Sequence, residues 1–212
     1  MAGGIAGAIL IGMSLAGCAA ADNQGADDAA ANTVTIVVHD SFPNDAFAAA
    51  ASAATGYDVQ VITAGDGGEL TSQLVLTGAA PIADAFFGVD NIFASRLVDA
   101  GITDPHIPAQ LPARAQAGLF DEQGSLVPVT LGATCINIDP AWFAEQGIAV
   151  PSSYEDLANE TYRGLTVLLD PSTSTTGASF LVGTVAHFGA NGFADYWSQL
   201  MANEVRIEQG WT

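Results

Sequence analysis

Over residues 33–90 the chain alternates short β-branched apolar runs with helix-like runs, and that order constrains the fold more than any other feature. TVTIVVHD (33–40), YDVQVITA (57–64) and ADAFFGVD (83–90) read as strands, apolar enough to lie inside a sheet. Residues 44–55, Ala-rich and stopped by Gly56, read as a helix, as do 65–78 and 92–100. The second of these places Leu70, Leu74 and Val75 on one face. A β-α-β-α-β-α order predicts an α/β fold with a mostly parallel sheet and helices on both faces.

The pattern then breaks and restarts. Residues 105–112 are Pro-studded, and LVPVTLGATCINID (126–139) is a long extended run, long enough to cross between two lobes. Helices are expected over 140–148, 152–164, 177–188 and 193–203. LTVLLD (165–170) reads as a buried strand, and 205–212 begins another. The expected organisation is a first lobe over 33–128 and a second over 129–212 that is started and not finished.

Charge narrows the function. Four basic residues, all Arg, stand against 23 acidic ones, giving −19 with no Lys. A nucleic-acid binder must neutralise phosphates with Lys and Arg, so that class is excluded in practice. A cationic ligand or a salty habitat fits the balance. Cys18 and Cys135 are the two cysteines, no Cys/His spacing suggests zinc, and Cys135 is expected to be a small buried hydrophobe.

LLDPSTSTTGASFL (168–181) sets five hydroxyl residues between a strand-like and a helix-like run. Free N–H groups at a helix N-terminus form a cradle for an anion or hydroxyl, and ligands of open α/β sheets bind at strand C-termini. A helix cap alone would need one of those hydroxyls. No G-x-x-x-x-G-K is present, which argues against a phosphate-hydrolysing loop.

The N-terminus reads as an address. Residues 1–17 are an apolar, small-residue leader, and Leu15-Ala16-Gly17-Cys18 resembles the bacterial lipobox, in which Cys18 would be lipidated. No basic residue precedes the apolar run, a departure from the usual leader. Residues 18–32 read as a flexible tether.

Five segments together, HDSF (39–42), AGDGGEL (64–70), FGVDN (87–91), GLTVLLDPSTSTTG (164–177) and QGW (209–211), resemble the thiamine-binding subunits of bacterial ABC importers. The resemblance implies a type 2 periplasmic-binding-protein fold, with two α/β lobes clamping a ligand, and an extracytoplasmic lipoprotein that hands thiamine or its phosphates to an ABC permease. It implies no cofactor and no bond broken. Family members run on well beyond residue 212, so the chain is expected to be a fragment of such a protein.

Carried over residue by residue, the resemblance implies ligand contacts from Asp40, Ser41 and Phe42 at the end of the first strand. Asp66 would take the aminopyrimidine or the thiazolium charge, with Asp90 and Asn91 facing the same crevice. Asp170, Ser172, Thr173, Ser174 and Thr175 would cradle the hydroxyethyl or phosphate end, and Trp211 would close over the ligand. Polyamine and iron(III) receptors share the scaffold and stay open as alternatives. An extracellular hydrolase is the weakest reading: His39 stands beside Asp40 and Ser41, but neighbours on a strand point to opposite faces, and no G-x-S-x-G elbow exists.

Overall fold

The computed structural model describes residues 32–211. The leader over 1–17, Cys18 and nearly all of the tether lie outside the described residues, and Val34–Thr212 form one compact unit.

The first half follows the alternation. Strands β1 (Thr33–Val38), β2 (Asp58–Thr63) and β3 (Ala85–Phe87) lie in the order β2-β1-β3, and β1 and β3 are parallel, with Val37 opposite Phe86. Helices α1 (Asn44–Thr55), α2 (Gly67–Thr77) and α3 (Ala94–Asp99) follow the strands in turn. Gly56 ends α1 in the left-handed conformation, φ 80°, which glycine adopts without steric cost. Val37 and Val38 of the central strand, Leu70 of α2 and Leu97 of α3 are fully buried. Each contributes roughly 1.5–3 kcal/mol over an exposed side chain.

The middle of the chain differs from the expectation. Residues 126–139 contain no strand, and 129–139 are exposed throughout. A strand needs a hydrogen-bonding neighbour, and no backbone hydrogen bond pairs this run with another described segment. Cys135 is therefore exposed rather than buried. A short helix, α4 (Ala113–Gln116), precedes the run, and α5 (Pro140–Gln146), capped by Asp139, follows it.

The second half is a single β-α-β unit with small additions. α6 (Tyr154–Leu157) opens with a capping box formed by Ser153 and Asp156 and stops well short of residue 164. β4 (Val167–Leu169) and β5 (Arg206–Glu208) are parallel, joined by α7 (Thr175–Ala202). Gly189, at φ 74° and ψ 168°, breaks α7 into two helical stretches. Leu157, Leu168, Phe180, Tyr196, Leu200 and Val205 form the core here. β4 is only half buried: α7 packs against it and Leu168 is buried, while Val167 stays exposed.

Gly177, in the first turn of α7, lies so close to β4 that a Cβ would collide with the Leu169 carbonyl oxygen. Alanine in a helix is ordinarily worth up to about 1 kcal/mol over glycine. Here the sign inverts. Gly177→Ala is expected to destabilise by roughly 1–3 kcal/mol, read as a lower urea midpoint; an unchanged or higher midpoint would refute the close approach.

Candidate functional site

The C-terminal ends of β1, β3 and β4 feed a cavity of about 1110 Å³. Its walls include His39, Ser41 and Phe42 after β1, Asp66 after β2, and Asp90 and Asn91 after β3. The first turns of α7 add Thr175, Thr176 and Ser179, and Trp211 follows β5. The unpaired run after residue 124 forms a further side.

Asp66 is the centre of the arrangement. As the N-cap of α2 its Oδ1 accepts the Gly67 N–H at 2.6 Å, and it also accepts the N–H of Thr175, the first residue of α7, at 3.2 Å. One carboxylate thus sits across two helix N-termini, each carrying partial positive charge. His39 Nε2 lies 2.9 Å from the same oxygen. Asp66 is only 4 % exposed, and Oδ2 is buried with no hydrogen-bond partner among the described residues. Burial on its own would raise the carboxyl, but the nearby Ser174 hydroxyl, the Gly67 N–H, His39 and the Thr175 N–H outweigh it. Asp66 is held below the ordinary aspartate value and is ionised at neutral pH. Ser174 acts from outside strict hydrogen-bond geometry, which leaves Oδ2 formally unpartnered.

Glycine makes the approach of the two halves possible. The N–H groups of Gly68 and Glu69 donate to the Thr173 carbonyl at 2.8 and 3.3 Å. A Cβ at Gly68 would strike the carbonyls of Ser172 and Thr173, and one at Gly67 would strike the Thr175 side chain.

His39 orients Asp66 from the other side. Its Nδ1 accepts from the Ser41 N–H and hydroxyl, both at 3.0 Å, so the ring proton lies on Nε2, facing Asp66. The Trp211 ring centroid is 5.6 Å from that of His39. Phe42, on the wall, packs against Phe47 and Phe87 at 5.0 and 5.3 Å. Asp90 Oδ1 caps the chain entering α3, accepting from the N–H groups of Ile92 and Phe93, while Oδ2 is buried and unpartnered. Thr175 Oγ1 is likewise buried without a partner among the described residues.

Other residues that the sequence singled out are placed differently. Asp40 is off the cavity wall, and its carboxylate accepts the Gly65 N–H at 2.8 Å, tying the loops after β1 and β2 together. Asp170, Ser172, Thr173 and Ser174 are also off the wall. Asp170 Oδ1 accepts from the Ser172 N–H and hydroxyl, Thr173 donates to the Gln209 carbonyl, and Ser174 Oγ caps α7 by accepting from Gly177. The Ser172 groups hold the Asp170 carboxyl below its usual value. Thr175 alone of that loop reaches the wall, joined by Thr176 and Ser179, which the sequence reading missed. Positions 175, 176 and 179 share one helical face, and that spacing was the available signal. His39 was also missed as a site residue: the sequence reading set it on a strand facing away from its neighbours, whereas β1 ends at Val38 and His39 Nδ1 meets the Ser41 hydroxyl.

Residues 80–210 match the family of bacterial extracellular solute-binding proteins, more than half of the chain. The chain belongs to that family. This solute-binding protein is 24 % identical over 189 residues to the thiamine-binding periplasmic protein of Salmonella typhimurium, covering 84 % of the chain and 54 % of that relative. Among solved structures, a periplasmic thiamin binding protein superposes with a TM-score of 0.64 at 20 % identity, covering 84 % of the chain and 56 % of the structure. AfuA from Actinobacillus pleuropneumoniae, with exogenous fructose-6-phosphate bound, gives 0.66 at 18 %, with 84 % and 57 % covered. Iron-bound HitA from Pseudomonas aeruginosa gives 0.58 at 24 %, with 83 % and 56 % covered. The solute-binding protein spans about half the length of these relatives, and at such identities the structures establish the periplasmic-binding-protein fold.

Because the folded Asp66 carboxyl lies below its unfolded value of about 3.9, its stabilisation is present above that pH and is lost as pH falls through the folded value. Asp66→Asn is expected to cost roughly 1–3 kcal/mol at pH 7, with the gap to the parent closing below about pH 4. Urea titrations of both proteins from pH 7 to pH 2.5 check this. A gap independent of pH would remove the charge from the explanation.

Proposed function

We propose that this chain is the ligand-capturing part of an extracytoplasmic receptor for thiamine or a phosphate ester of it. The observation that carries the reading is Asp66: an ionised carboxylate held by His39 at the wall of a cavity edged by Phe42 and Trp211. Thiamine offers what a fixed anion beside a cavity attracts, a cationic ring and an exocyclic amine that donates hydrogen bonds. Phe42 and Trp211 supply flat apolar surface, and a cation favours a Trp face by about 0.5–2 kcal/mol. The thiamine-binding relative supports the same ligand.

Capture needs no chemistry. A ligand that touches β1, α2 and Trp211 together stabilises the arrangement in which they converge, and a permease would recognise that arrangement. A lipid anchor at Cys18, an ABC permease partner and a place outside the cytoplasmic membrane belong to this proposal. The proposal includes no cofactor and no catalysis. A polyamine is the second reading, favoured by the several carboxylates on the wall.

Calorimetric titration with thiamine and spermidine in parallel tests the assignment. Saturable binding of thiamine is expected, weakened roughly 2- to 30-fold by Trp211→Ala. That variant should keep its urea midpoint, since the Trp211 side chain is 59 % exposed. Spermidine binding without thiamine binding would sink the vitamin reading.

A further inference from the structure

Resting on that reading, we propose that Asp40 is a positioning residue for the ligand site, and that it acts as a hydrogen-bond acceptor rather than as a charge. The resemblance to thiamine-binding subunits implied a ligand contact there. Its carboxylate is instead engaged inside the protein. Main-chain pairing runs on past the ends of β1 and β2: the Ala64 N–H donates to the Val38 carbonyl at 3.0 Å, and the Asp40 N–H to the Gly65 carbonyl at 3.1 Å. The Gly65 N–H in turn donates to Asp40 Oδ1 at 2.8 Å. Asp40 and Gly65 thus exchange two bonds, one of them made by a side chain.

The neighbours of that clamp in the chain show what it holds. His39 precedes Asp40 and Asp66 follows Gly65, and these two meet at 2.9 Å, Nε2 to Oδ1. After Asp40 come Ser41 and Phe42. The Phe42 N–H donates to the His39 carbonyl at 3.0 Å and closes a turn over 39–42. A turn that short moves as a unit, so anchoring Asp40 anchors the wall residues beside it, His39, Ser41 and Phe42. Gly65 is constrained from its own side. Its φ of 80° is left-handed backbone that glycine enters freely, and a Cβ there would collide with the Glu69 side chain. The loop after β2 is built around glycine at the residue whose N–H Asp40 takes.

An acceptor and a charge make different demands on residue 40. The bond to Gly65 needs one oxygen lone pair in the right place, and the amide oxygen of asparagine supplies it in the same shape. A direct contact to a cationic ligand needs the negative charge, since a charge-assisted bond is about twice as strong as a neutral one. Asp40→Asn and Asp40→Ala therefore separate the two roles.

The test reads both variants in two ways. One is calorimetric titration with thiamine at about 0.15 M sodium chloride, where exposed charges more than about 8 Å apart are largely screened. The other is the nitrogen-15 NMR signals of the His39 ring, which report its tautomer without any ligand. Asp40→Ala is expected to weaken thiamine binding roughly 2- to 10-fold and to turn the single Nε2–H tautomer into a mixture. Asp40→Asn is expected to keep the parental ring signals and to bind within about 2-fold of the parent. Equal loss of affinity in both variants, with parental ring signals, would overturn the proposal in favour of a direct charge contact. Parental signals and affinity in Asp40→Ala would overturn it as well. Silence of the parent toward thiamine would sink the vitamin reading alone, and the ring signals of the two variants would still decide the positioning role. Asp40 is exposed, so both variants are expected to fold. Should Asp40→Ala fail to fold, Asp40→Asn decides, parental ring signals and affinity upholding the proposal and a loss of either sinking it.

Discussion

The structure turns on one carboxylate shared by two helices. Asp66 caps α2, as its place after a strand and before two glycines dictates, and it also takes the first N–H of α7, which is 109 residues further along the chain. Each helix end favours a nearby negative charge by about 0.3–1 kcal/mol at a surface and by up to ~2 kcal/mol when partly buried. Removing that charge would leave two sets of unpaired N–H groups facing each other. The bonds from the Gly68 and Glu69 N–H groups to the Thr173 carbonyl close the same seam from the other side. Holding the two β-α units together and shaping the ligand cavity are thus the work of the same few atoms.

That economy explains the polarity of the site. The carboxylate oxygen turned toward the seam is saturated by His39, Gly67 and Thr175, while its buried twin has only the Ser174 hydroxyl nearby, outside strict hydrogen-bond geometry. Burying a charge is unfavourable unless it is hydrogen-bonded, so the carboxylate's place beside the cavity depends on the donors that hold it. His39 keeps the division sharp, since its other nitrogen is fixed by Ser41 and the ring cannot turn away from Asp66 without losing both bonds.

Much of the first half was legible in the sequence, because the period of its apolar residues and its glycine stops are local signals. β1, β2, α1 and α2 lie within a few residues of the segments TVTIVVHD, YDVQVITA, 44–55 and 65–78. The long run over 126–139 was not, since extended backbone becomes a strand only when a neighbour pairs with it, and pairing is a tertiary fact. Cys135 went from expected burial to exposure for the same reason. The hydroxyl-rich loop was readable as a helix entrance, which Ser174 caps. How Ser172 and Thr173 use their hydroxyls was not readable, because their acceptors, Asp170 and the Gln209 carbonyl, are chosen by how the chain folds back. His39 shows the limit best: its importance comes from a residue in another loop.

The break at Gly189 lets α7 turn back on itself. The stretch before it carries Thr175, Thr176 and Ser179 to the cavity wall and Phe180 into the core. The stretch after it adds Tyr196 and Leu200 to that same core, and Trp197 Nε1 donates to the Thr184 hydroxyl across the break at 2.9 Å. A straight helix would hold residues 184 and 197 roughly 20 Å apart. The ligand face of α7 is therefore braced from behind by the far half of the same helix, and a substitution at Trp197 would be felt at the cavity through packing rather than along the backbone.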